Sequence, residues 1–236
     1  MEQKPNPYTG NRYSAEIISR AVWLYFRFSL SFRDIEELLA YCGVMVTYAA
    51  IRQWTLKFGA GYANTFRRRQ PRGGDKWYLD EMGLTFKGQH HYLGRAVDQD
   101  GYTLDILMQS RRDRKAAKRF FRKLLKGLRY VPRVIITDKL KSYGAAKREI
   151  LPRVEHRQHK KLNNRVELSH QPTRQKEWQM RKFKSSRQAL SFLSVHTHVG
   201  NLFRIRHRFE TASDYRTARL QAFVTWQNVT SNHRAA

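Results

Sequence analysis

The sequence predicts an α/β protein in two parts, a helical N-terminal segment followed by a mixed five-stranded sheet flanked by helices. Three observations carry this expectation. Apolar residues recur at helical spacing from Ile17 to Phe58. From Trp77 the pattern turns into short alternating runs bounded by turn formers. An amphipathic stretch over residues 112–129 then leads into Val131–Thr137, an apolar β-branched run that reads as a buried strand laid beside the first.

In the first part, Ser14 is placed to cap a helix carrying Ile17, Ile18, Ala21, Val22, Leu24 and Tyr25. Ser31-Phe-Arg-Asp34 has the spacing of a capping box, and Ile35, Leu38 and Leu39 follow as a buried stripe to about Tyr41. Cys42-Gly43 makes a turn, and Thr47 caps a third helix bearing Ile51, Trp54 and Phe58. Residues 31–58 therefore read as a helix-turn-helix that offers Thr47, Tyr48, Arg52, Gln53 and Lys57 to a DNA major groove. A helical hairpin that merely packs has the same pattern, and the charge of the chain tips the reading towards DNA.

Arg67, Arg68 and Arg69 and the Pro71–Gly74 stretch read as a basic linker that follows a phosphate backbone. The expected division is a helix-turn-helix domain over 1–62, the linker over 63–76, a second domain over 77–200 and a basic tail over 201–236. In the second domain, strands are expected at 77–86, 91–97 and 102–108, with Asp98-Gln-Asp-Gly101 as a hairpin turn. The helix at 112–129 and the strand ending at Asp138 follow. A short helix at 143–150, a short strand at 154–159 and a long helix from Asn164 to about Lys182 complete the order.

Lysine and arginine number 46 against 19 acidic residues, a formal charge of +27 that repels itself unless a polyanion is near. With 41% hydrophobic residues the charge sits on a folded body, so a globular nucleic-acid binder is expected, ahead of a membrane-surface or ribosomal protein. Cys42 is the only cysteine, which excludes an internal disulfide or a cysteine-based zinc site. The longest apolar run, Ala21 to Phe26, is far short of a membrane span. A cytoplasmic protein gathered on the nucleoid, with no membrane partner, is expected.

Cutting or joining a phosphodiester needs charge stabilisation at the attacking and leaving oxygens, which a pair of magnesium ions held by carboxylates supplies. Isolated acids in so basic a chain are therefore candidate ligands. Asp80 lies inside the first strand, where alternation sends Asp80 and Glu81 to opposite faces. Asp138 closes the buried strand expected beside it. For a third ligand, chemistry alone leaves Glu149, Glu155, Glu167 and Glu177 open. Glu167 is favoured by its place on the long helix, with Arg174 seven residues later on the same face to hold a phosphate. Lys139 beside Asp138 is a further candidate for phosphate contact.

The strings Trp77-Tyr-Leu-Asp-Glu81, Tyr92-Leu-Gly-Arg-Ala-Val-Asp98, Ser110-Arg-Arg, Ile136-Thr-Asp-Lys139, Val154-Glu-His-Arg-Gln158 and Asn163-Asn-Arg-Val-Glu167 resemble the bacterial insertion-sequence transposases of family six, typified by insertion sequence twenty-six. Ser29–Glu37 and Ala50–Trp54 resemble that family's helix-turn-helix, so the resemblance spans roughly residues 12 to 210. It implies a ribonuclease-H-like catalytic domain with an Asp-Asp-Glu triad on Asp80, Asp138 and Glu167. It further implies two Mg2+ ions, for which Mn2+ substitutes, and double-stranded DNA partners comprising terminal inverted repeats and target DNA. Action as a homo-oligomer and a cointegrate product are also implied.

Two departures stand out. Only 28 residues separate Asp138 from Glu167, fewer than is usual in that family, and Gly94 stands where a tryptophan is common. Glycine inside a strand removes packing, so the sheet is expected to be either repacked or weakened there. The competing readings are a catalytically decayed transposase that still binds DNA, and a nuclease of the same fold that performs no strand transfer.

Overall fold

The computed structural model describes residues 8–69, 73–138, 140–158, 164–205 and 211–231. Its elements in chain order are α1 (Ala15–Arg27), α2 (Phe32–Tyr41), α3 (Tyr48–Arg69), β1 (Lys76–Phe86), β2 (Gln89–Asp98), β3 (Thr103–Gln109), α4 (Arg114–Leu128), β4 (Val134–Thr137), α5 (Lys141–Ile150), β5 (Glu155–Gln158), α6 (Asn164–Gln179), α7 (Ser186–Leu202) and α8 (Ala212–Ser231). They form two compact units, Met1–Gln70 with Ser191–Ala236, and Pro71–Leu190. No helix among the described residues is long and apolar enough to cross a membrane.

The first unit is helical. Ser14 caps α1 and Ser31 caps α2, where the reciprocal bond from the Ser31 amide to the Asp34 carboxylate completes a capping box. Gly43 adopts φ +77° and ends α2, a conformation that costs glycine least. Thr47 Oγ1 then accepts from Ala50 N at 3.4 Å, and the Glu36 carboxylate accepts from Tyr48 N at 3.1 Å, so two side chains satisfy the open end of α3.

Two boundaries differ from expectation. α3 runs on to Arg69, so the three arginines assigned to a linker form its last turn. The segment read as a basic tail carries α8, which packs against α1 and α3. The reason is aromatic burial that charge counting hides. Trp226 of α8 stacks on Phe66 and meets Tyr62 edge-on, with ring centroids 5.3 and 5.6 Å away. Tyr8 Oη donates to the Thr230 carbonyl at 2.7 Å, fixing the end of α8.

The second unit is built on a five-stranded sheet of order β3-β2-β1-β4-β5. β1, β2 and β3 pair antiparallel, whereas β4 pairs parallel with β1 and β5 parallel with β4. This is the mixed five-stranded sheet flanked by helices that the sequence predicts. Asp98 forms the expected turn, with Oδ1 accepting from the amides of Asp100 and Tyr102. One face of the sheet packs Trp77, Leu79, Ala96 and Ile135 against Ala117, Phe120, Phe121 and Leu124 of α4 and Tyr143 and Ala146 of α5.

Gly94 lies under that helix layer. A β-carbon there would stand 3.3 Å from two ring carbons of the buried Phe120, so the phenyl group occupies the space a larger residue would claim. The sheet is repacked at this point rather than left with a hole.

Candidate active site

Parallel pairing of Leu79 with Thr137 sets the register of β1 against β4. Asp80 and Asp138 each follow one residue later, so the two residues stand at neighbouring positions of adjacent strands. Both bear electrostatically on Arg112 and on Tyr143, which places them in one neighbourhood. Asp138 is held at one oxygen, Oδ1 accepting from Leu140 N at 3.1 Å.

Glu81 faces the other way from Asp80, as alternation requires, and its side chain is only 4% exposed. Arg112 Nε donates to Glu81 Oε2 at 2.7 Å, and Nη2 of the same guanidinium lies 3.4 Å from Asp138 Oδ2. Burial pushes the Glu81 carboxyl above its ordinary range, and the bond from Arg112 opposes that rise. Burial also works against the charge on Arg112, yet Glu81, with Asp138 and Asp80 behind it, lifts its pKa above the ordinary value. The Tyr143 hydroxyl is buried without a hydrogen bond of normal geometry. Burial first, then the charges of Glu81, Asp80 and Asp138, hold it protonated.

α6 lies against β1 and β2 on the face that carries Asp80. Arg95, the cross-strand neighbour of Asp80, is buried and donates to the Ser169 carbonyl and, at 2.6 Å, to Thr173 Oγ1. It pins the helix to the sheet. His170 Nε2 then sits 3.4 Å from Asp80 Oδ2. Burial lowers the His170 pKa, Asp80 opposes this, and Arg95 and Arg174 add to the lowering, so the ring beside Asp80 is neutral at neutral pH.

Glu167 lies in the first turn of α6, exposed, one turn before His170 and two before Arg174. The two-ion site that the family resemblance implies requires the carboxyl groups of Asp80, Asp138 and Glu167 to converge. Among the described residues, however, no three His, Cys, Asp or Glu side chains gather into a metal-holding group. The strand register puts Asp80 and Asp138 on neighbouring strands, whereas Glu167 is exposed in the first turn of α6. The donor chemistry still suits a hard divalent cation: Asp80 and Asp138 offer hard carboxylate oxygens, with side chains 16% and 29% exposed. No lysine neutralises either of them among the ion pairs of the described residues.

Sequence reasoning missed Glu81, Arg95, Arg112 and His170 as parts of this site. His170 was signalled by its spacing three after Glu167 on a helix, and Arg95 and Arg112 by lying inside the family-like strings. Lys139 lies outside the described residues.

In the helical unit, Thr47, Tyr48, Arg52, Gln53 and Lys57 are all exposed along the first turns of α3, while Ile51, Trp54 and Phe58 are buried behind them. The arrangement presents to solvent one helix face that is polar apart from the exposed Leu56. Arg67, Arg68 and Arg69 are exposed at the far end of the same helix.

A sequence-family model described as "DDE domain" matches residues 74–206. The transposase for insertion sequence-like element IS431mec of Staphylococcus aureus (strain N315) is 31% identical over 170 residues, covering 70% of this chain and 75% of that one. The transposase for insertion sequence element IS257 in transposon Tn4003, also of Staphylococcus aureus, is similar to the same extent: 31% over 170 residues, with 70% and 75% covered. Among solved structures, the HTLV-2 integrase catalytic core domain in complex with magnesium is similar with a TM-score of 0.42 and 12% identity, over 61% of this chain and 94% of that one.

Proposed function

Because this chain belongs to the DDE-domain transposases of insertion-sequence family six, we propose that it binds the terminal inverted repeats of an insertion sequence and joins their ends to target DNA, forming a cointegrate. The observation that carries the reading is the placement of Asp80 and Asp138 one residue beyond the paired ends of adjacent parallel strands. In this reading Asp80 and Asp138, with Glu167 as the third carboxylate, would hold two magnesium ions, for which manganese could substitute. When bound, the metal ions stabilise charge on the attacking and leaving oxygens of the phosphodiester.

The chain's own residues prepare the site. Leu140 N and Arg112 hold opposite oxygens of Asp138 and so limit its rotation. His170, buried, sets its Nε2 3.4 Å from Asp80 Oδ2 and so limits where that carboxylate can turn. Arg174, exposed two turns beyond Glu167, is placed to bind a phosphate of the strand being cut. The exposed face of α3 reads the repeat in the major groove, and Arg67, Arg68 and Arg69 follow the phosphate backbone. Two ends must be held at once, so the working form is a homo-oligomer, acting on DNA of the bacterial nucleoid in the cytoplasm.

The test is joining of a labelled DNA carrying the cognate ends to a target plasmid with magnesium. Wild type is expected to join, while Asp80→Asn, Asp138→Asn and Glu167→Gln bind the ends without joining them. Full joining by Glu167→Gln would remove Glu167 from the triad. Binding without joining by the wild type would mark the chain as a DNA-binding relic.

A further inference from the structure

Trp178 is 84% exposed, on a helix whose opposite face is buried at Val166, Thr173 and Lys176. Its position on α6 is not arbitrary. Glu167, Gln171, Arg174 and Trp178 recur at spacings of three and four, and all four are exposed, so they form one ridge leading away from the catalytic carboxylates. The helical rise from Glu167 to Trp178 is about 16 Å, or about five steps along B-form DNA.

The chain beyond Trp178 is shaped to display more positive charge. Arg181 and Lys182 both adopt left-handed backbone angles, φ +51° and +68°, a region side-chain-bearing residues seldom enter singly and very seldom in succession. The turn is closed by Lys182 N donating to the Glu177 carbonyl at 2.8 Å and Arg181 N to the Trp178 carbonyl at 2.9 Å. Buried Phe183 anchors it. Arg181, Lys182 and Lys184 are consequently exposed just past the indole, as Arg174 is just before it.

A flat aromatic ring between cations is the arrangement that holds a single nucleic-acid strand, the cations binding phosphates and the ring stacking on a base. A duplex offers no free base face to such a ring, whereas an unpaired nucleotide does. We propose that Trp178 is the stacking platform for an unpaired nucleobase of the DNA strand held at the cut end, with Arg174, Arg181 and Lys182 on the neighbouring phosphates. The assignment rests on the transposase reading above and names the form of DNA that this ridge takes.

The experiment uses the full chain and a duplex carrying the element end with a short unpaired extension, in which 2-aminopurine replaces each extension base in turn. Stacking on Trp178 quenches the probe in wild type and in Asp80→Asn, which binds without cutting. Trp178→Ala abolishes the quenching and weakens binding of the extended DNA by about five- to a hundredfold, while leaving a blunt duplex within about twofold. Trp178→Phe restores most of both. Equal binding of the extended DNA by Trp178→Ala and wild type overturns the platform, as does an equal loss on both DNAs. A drop in sedimenting mass for Trp178→Ala with quenching intact also overturns it, since the ring would then cover a second copy of the chain. Wild type that quenches but never joins DNA overturns the transposase reading and leaves the platform standing.

Discussion

Arg112 is tied to Glu81 by a 2.7 Å hydrogen bond and carries its second nitrogen to within 3.4 Å of Asp138. A buried acid adjacent in sequence to one candidate ligand thus fixes the cation that touches the other. Breaking such a pair by removing one partner leaves an uncompensated buried charge, whereas removing both does not. Arg112→Met is therefore expected to destabilise the protein by about 3 kcal/mol, and Glu81→Leu with Arg112→Met by clearly less. Urea unfolding of the three proteins decides it, and a double variant no more stable than the single one would show that the pair carries no such role.

Gly94 and Phe120 share one volume, so neither tolerates growth of the other. Gly94→Trp alone is expected to cost about 3 kcal/mol or more through overpacking against the ring. Adding Phe120→Ala should return much of that loss. Thermal melts of the single and double variants test this, and an unaffected Gly94→Trp would mean the strand has room that the structure denies it.

The grip of Arg95 on Ser169 and Thr173 depends on a forked donor, which lysine lacks. Arg95→Lys should loosen α6 from the sheet and raise hydrogen exchange of its amides, with those of α4 unchanged. Joining activity should fall with it, because His170 and Glu167 ride on that helix. Unchanged exchange in α6 would assign its anchoring to other contacts.

On the helical unit, the two groups of cations are expected to behave differently. Arg52→Ala, on the exposed side of α3 that we propose reads the repeat, should cost about 1–3 kcal/mol with the cognate repeat and reduce discrimination against other sequences. Arg68→Ala should weaken all DNAs alike and lower the salt dependence by about one phosphate contact. Titrations at several salt concentrations separate the two, and a uniform loss from Arg52→Ala would take α3 out of base recognition.

By itself the sequence determined the elements whose signals are local. The capping box at Ser31 and Asp34, the stripe of α4, the hairpin turn at Asp98 and the β-branched run ending at Asp138 need only neighbours a few residues away, and each formed where its pattern placed it. That Asp80 lies within a strand and Asp138 just past the end of another was legible because a strand face and a strand end are local properties. Tertiary structure decided what depends on distant partners: Arg112 meets Glu81 across 31 residues, and Arg95 meets Thr173 across 78. It also decided that Phe120 fills the space at Gly94 and that Trp226 draws the basic C-terminal segment into the helical core. Periodicity records which side of an element is apolar, but it does not record which element will lie against that side, and the partners of buried charges and glycines are chosen there.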